Sequence, residues 1–199
     1  MGNKHTYRRN HACIALVTGC AALLTAVGCS GPGHGGPMVS PDSTSGDVIE
    51  IKTDSDVKLE WVRVDDPSDD SEALTVLAAQ HGVSVTPVVP LNSVISITFN
   101  GMQPDSVSLT DQVIGTDGMP RYGVEPDVIT LIKCECDGSY NFVLPINWAA
   151  SLSSNSRAYK PGAVIRGFII TATIGTATAS YAFAFHSDAY DTTQMVEAN

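Results

Sequence analysis

Residues 164–186 constrain this chain more than any other stretch. Val164–Ile174 and residues 177–186 are long apolar and β-branched runs on either side of Gly175-Thr176. Glycine in the first turn position suits a two-residue type II′ turn between antiparallel strands. That turn sets a register in which Ile174 faces Ala177, Ala172 faces Ala179, Ile170 faces Tyr181 and Phe168 faces Phe183. All of these fall on one apolar face, while Thr171, Thr173, Thr178 and Ser180 fall on the other. The expectation is an all-β domain, a sandwich of antiparallel strands with this hairpin central to its core.

A second strand stands out at Val94–Phe99, where Ile95, Ile97 and Phe99 form the core side. Pro87 and Pro90 confine the approach to a turn or a sheet edge. Val89-Pro90-Leu91-Asn92-Ser93, the strand itself, and Met102 with Pro104 and Asp105 resemble bacterial Ig-like domains of the Big-5 type. The polar insert those domains carry before the motif is shortened here to Val88. The resemblance covers about a fifth of the mature chain and implies an Ig-like β-sandwich. It names no activity, because a fold of this kind does not fix a function.

Residues 128–148 predict another hairpin. A three-residue turn at Asp137-Gly138-Ser139 pairs Cys136 with Tyr140 and Cys134 with Phe142. Ile132, Cys134, Cys136, Tyr140, Phe142, Leu144 and Ile146 then share one face, and a one-residue slip would scatter them. A C-x-C pair can bind a soft metal or exchange disulfides. No third cysteine or nearby histidine completes a site, however. In a flat strand the two Cα atoms would sit near the upper limit of roughly 6.8 Å for a disulfide. Cys134 and Cys136 are therefore expected as buried core thiols, with no metal site and no cofactor.

Around these strands the signals are coarser. In residues 47–64 the alternation sets Val57, Leu59 and Trp61 on one face. Residues 65–72 are an acidic run whose spacing does not fit a calcium-binding loop, so a solvated loop is expected. Residues 73–80 suit a short helix or a strand. Residues 111–126 form a long connection with three glycines and two prolines. Loops of this length often carry function. Asp111, the Gln112-Val113 step, Arg121, Tyr122 and Glu125 make up the candidate contact surface.

The first 28 residues have the layout of an export signal. Lys4, Arg8 and Arg9 precede an uncharged run of 17 residues, 12–28, which ends in small residues. Ala26-Val27-Gly28-Cys29 resembles the lipobox of bacterial lipoproteins, which implies that the Cys29 thiol carries a lipid at the mature N-terminus. Val17-Thr18-Gly19-Cys20 also matches, but leaves too short an apolar core ahead of it. A plain secretory signal and a retained anchor are the alternatives, since 17 residues is the lower end of the spanning range of about 17–25. The expected organisation is a signal at 1–28, a lipidated Cys29 with a Gly/Pro/Ser linker to residue 46, a sandwich at 47–188 and a frayed tail at 189–199. His34 in the linker is expected to be solvated.

Beyond residue 28 lie all 21 acidic residues and 8 of the 11 lysines and arginines, a formal charge of −13. This argues against nucleic acid and against electrostatic attachment to anionic lipid. The chain has no nucleophile elbow, zinc-protease helix or phosphate loop. The expected function is a non-catalytic binding or structural role in the cell envelope. The membrane would be met through the lipid, and another envelope protein or a glycan would be the partner. An envelope enzyme or metal-handling protein using the acidic run or Cys134 and Cys136 is the alternative.

Overall fold

The computed structural model describes residues 49–64 and 70–191. The signal, Cys29, the linker, most of the acidic run and the last eight residues lie outside the described residues. Among those described, β1 to β9 are Ile49–Thr53, Trp61–Val64, Val94–Phe99, Ser106–Ile114, Asp127–Ile129, Ile132–Lys133, Tyr140–Val143, Val164–Ile174 and Ala177–Ser187, and α1 is Asp70–His81. They form two antiparallel sheets, β1-β3-β7-β6 and β2-β9-β8-β4-β5. The fold is an all-β sandwich with one helix on its outside.

The β8–β9 hairpin has the expected register, from Ile174 opposite Ala177 to Phe168 opposite Phe183. Gly175 sits at φ 59°, where a side chain would be strained. The inner face carries Phe168 stacked on Phe183 at 4.9 Å and on Phe185 at 4.8 Å between ring centres. Phe142 meets Phe168 from the opposite sheet at 5.9 Å. Ile49, Ile51, Ile95, Ile97, Leu144 and Leu109 complete the same core. Each fully buried side chain of this size stabilises the fold by about 1.5–3 kcal/mol.

The hairpin has a second buried face. Val62, Ile114, Ile165, Ile169, Ala182 and Ala184 pack under Ala73, Leu74 and Leu77 of α1. Leu74 and Leu77 bring an apolar stripe to the sheet, and Gly82, at φ 72°, follows the last helical turn. Gly167 makes the close approach feasible, because a Cβ there would lie 2.8 Å from both Leu74 methyl carbons. The threonine face predicted for the hairpin is thus polar only near its turn. Toward the other end the strand is buried on both sides, which its nearly continuous apolar sequence permits.

The predicted hairpin at 128–148 is corrected. Its first residues belong to β5, which pairs with β4 in the other sheet, with Ile129 opposite Leu109. The chain then crosses to β6, where Lys133 pairs with Tyr140 and Ile132 with Asn141. Cys134 N–H donates to Ser139 O at 2.7 Å and Gly138 N–H to Cys134 O at 2.9 Å. The connection is a six-residue loop closed by these bonds, not the three-residue loop expected. Tyr140, Phe142 and Leu144 do face the core, but Ile132 is 66% exposed and Ile146 53% exposed. The apolar count misled because β6 is an edge strand of two residues and the chain leaves the sheet at Pro145.

The domain also runs past residue 188. Ala189 is buried with Val113, Ala149, Ala150 and Val164, and Tyr190 packs on the same cluster.

Candidate functional site

The two ends of the sandwich differ. Ile49, the first described residue, pairs with Phe99 beside the 100–105 loop. That loop is tied to the β8–β9 turn, since Gly175 N–H donates to Asp105 Oδ2 at 2.6 Å. The Cys134–Ser139 loop lies at this end too, because Tyr140 O–H reaches Pro104 O. The opposite end holds residues 115–126 and 145–163, both packed on the small cluster around Val113, Ala149 and Val164.

Of the residues expected in a contact loop, Arg121 and Glu125 are exposed and Tyr122 is half-buried. The Arg121 guanidinium lies 5.6 Å from the Tyr122 ring centre. The loop is ordered by its own bonds: Gly115 N–H to Met119 O at 2.8 Å and Arg121 N–H to Val113 O at 2.9 Å. It is also seated on α1, since at Gly118, φ 81°, a Cβ would lie 2.3 Å from Leu74 O. Trp148 was not foreseen in this surface, yet it is 51% exposed. It precedes Ala149 and Ala150, which pack on the cluster that also holds Tyr122. Asn147 positions it by capping the short 3-10 turn, accepting from Ala149 N–H at 2.9 Å.

Asp111 and Val113 are corrected. Both belong to β4, not to the loop, and both are buried. Gln112 is the neighbouring strand residue on the other face. Asp111 is fully buried against Arg166, which donates from Nε to Asp111 Oδ1 at 3.1 Å and from Nη2 to Oδ2. Arg166 Nη1 donates to Pro145 O at 2.6 Å, and Asn147 Nδ2 to Asp111 Oδ2 at 2.8 Å. Every charge here is answered by an opposite charge or a hydrogen bond, as a buried pair requires. The network ties the 145–147 segment, entering from one sheet, to β4 and β8 of the other. It is sealed from solvent, so it positions the Trp148 surface instead of binding anything itself.

The core-thiol reading of Cys134 and Cys136 is overturned. They form a disulfide with Cα atoms 5.5 Å apart. Cys136 is exposed and Cys134 half-buried. A turn brings their Cα atoms closer than a flat strand would, which removes the geometric objection. Closing so short a loop stabilises by only about 1.5 kcal/mol in the chain-entropy account. Asp137 stands beside the pair, its carboxyl held below the usual range by the Ser139 backbone N–H, which donates at 2.9 Å.

Other polar contacts lie outside these two sites. Glu50 accepts from Lys58 at 2.8 Å and Lys52 at 2.9 Å, and these ammonium groups lower its carboxyl. His186 Nδ1 lies 2.8 Å from Gly162 O, and His81 closes the last turn of α1. No helix among the described residues is long and apolar enough to cross a membrane. Comparison with protein families, with curated proteins and with solved structures finds no match.

Proposed function

We propose that this chain is a lipid-anchored protein of a bacterial cell envelope whose Ig-like sandwich binds a partner at the end that carries Trp148. Strand order supports the Ig-like part. Setting β2 aside, β1-β3-β7-β6 opposed to β5-β4-β8-β9 follows the order of Ig-like sandwiches, with β5 as the extra strand beside the third. The motif that resembles Big-5 domains falls on β3 and its flanks. The lipobox-like Ala26-Val27-Gly28-Cys29 supports the anchor.

The observation that carries the binding role is Trp148. It is half-exposed, follows an asparagine locked into a buried ion-pair network, and shares its end of the molecule with Arg121 and Tyr122. Tryptophan, tyrosine and arginine are the side chains that dominate binding energy when held rigidly on a surface. The described chain enters at the other end, through Ile49, so the Trp148 end is clear of the entering strand. The partner class is a second envelope protein or a glycan.

Photo-crosslinking in intact envelopes tests this. A crosslinking residue at Glu125, beside the anchors, should capture a discrete product, whereas one at Thr178, at the opposite end, should not. Equal yields at both ends, or none at Glu125, refute the surface. Metabolic labelling with palmitate should mark the wild type and leave Cys29→Ala unlabelled.

A further inference from the structure

We propose that Cys134, Cys136 and Asp137 form a redox-gated site for one thiophilic divalent cation of the zinc class, closed while the cysteines are joined and open once they are reduced. The site lies at the end of the sandwich opposite Trp148 and is independent of the binding role proposed there.

The donor atoms of the three residues lie within 4.8 Å of one another. Two thiolates on one tetrahedral zinc-class ion, at about 2.3 Å each, stand roughly 3.8 Å apart. Cysteine side chains can reach that separation by rotating about χ1, with Cα atoms staying 5.5 Å apart. The backbone that presents them does not depend on the disulfide. Cys134 N–H to Ser139 O and Gly138 N–H to Cys134 O hold the loop whether or not the sulfurs are bonded. Asp137 is fixed by Ser139 N–H. Three ligands on an exposed loop leave the fourth position to water or an incoming ligand, the pattern of reactive rather than structural zinc sites.

Charge separates this role from thiol exchange. Glu135 and Asp137 flank the sulfurs, and Lys133 directs its ammonium at the Tyr140 ring, 5.6 Å away. Carboxylates beside a thiol oppose the free thiolate that exchange chemistry needs. The same carboxylates favour a cation, which neutralises the thiolates it holds. Two thiolates with one carboxylate suit a zinc-class divalent ion better than copper(I), which is satisfied by soft ligands alone.

The steps balance. A dithiol reductant gives two electrons and two protons to the Cys134–Cys136 bond, leaving two thiols, and is itself oxidised to a disulfide. The cation then displaces both thiol protons and forms two metal–sulfur bonds.

The test uses the full chain with Cys13, Cys20 and Cys29 replaced by serine, so that only this pair can respond. The protein is reduced with a dithiol, freed of it by gel filtration without oxygen, and titrated with Co²⁺ and then Zn²⁺. Expected are one Co²⁺ per chain, a thiolate-to-cobalt charge-transfer band, and its displacement by Zn²⁺. The oxidised protein and the Cys134→Ser/Cys136→Ser variant should lack the band, and Asp137→Asn should bind at least 10-fold more weakly. Circular dichroism of each variant checks that the sandwich persists. Reduced protein that binds no more Co²⁺ than the double serine variant overturns the proposal. Asp137→Asn with unchanged affinity, or a preference for copper(I) that ignores Asp137, overturns the three-ligand site.

Discussion

Arg166 is the one charged side chain in β8, and its side chain is fully buried. Replacing it with methionine leaves Asp111 charged and uncompensated between the sheets. Removing one partner of a buried pair costs about 3–5 kcal/mol, so Arg166→Met should lower the urea midpoint sharply. Asp111→Leu together with Arg166→Met should recover part of that loss, because no bare charge remains. Recovery stays incomplete, since Asn147 Nδ2 and Pro145 O lose partners they have now. A double variant no more stable than Arg166→Met would mean that geometry, not charge, carries the cost. The lone arginine in an apolar strand was a legible sign of a buried pair. Its partner was not, because Asp111 stands where turn residues begin to accumulate and so reads as the start of a loop. Two titrating groups give stability a pH dependence of known sign. Burial raises the Tyr181 phenol, so stability should hold below its unfolded value of about 10 and fall as pH rises past it. Glu50 is lowered by Lys58 and Lys52, so its small contribution fades as pH falls through the carboxylate range.

At the scale of elements, the β8–β9 register was legible because two unrelated signals agreed. Turn chemistry and the apolar face both required Phe168 opposite Phe183. Phe183→Ala should cost about 3–5 kcal/mol in chemical denaturation, while Thr178→Ala, exposed on the other face, should stay within about 0.5 kcal/mol. The β6–β7 register was not legible, since only the apolar pattern spoke for it. The Cys134–Ser139 and Gly138–Cys134 backbone bonds and Gly138 at φ 74° bend the chain before that pattern can continue. Ile132→Lys separates the two registers. On the exposed edge it should change stability by less than about 0.5 kcal/mol; a buried Ile132 would make the same change ruinous. The helix was half legible. Its stripe was ambiguous, and Gly167 gave no sign that it marks the place where Leu74 meets the sheet. Gly167→Ala should cost about 1–3 kcal/mol by overpacking, and Leu74→Ala in the same chain should relieve the clash but open a cavity.

For the whole molecule, what matters is that its two ends are built differently. One end receives the chain at Ile49 and carries the small disulfide loop; the other presents Arg121, Tyr122, Glu125 and Trp148. That polarity could not be read from sequence, because residues 115–126 and 148 are brought together only when β4 and β8 align and the Asp111–Arg166 pair draws in Asn147. Under the proposed reading, anchoring and binding reside in different segments of the chain and should be separable by mutation. Cys29→Ala should release the protein from membranes while leaving its melting temperature unchanged, since Cys29 precedes the sandwich. Arg121→Ala/Trp148→Ala should keep lipid labelling and membrane attachment, and should shift stability by under about 1 kcal/mol, because both side chains are largely exposed. It should abolish the product crosslinked from Glu125. Rim contacts alone would leave most of that product, whereas loss of a tryptophan anchor typically costs 2 kcal/mol or more, a factor of roughly 30 in affinity. Retention of the product in the double variant would remove this end from the binding role, whatever the lipid does.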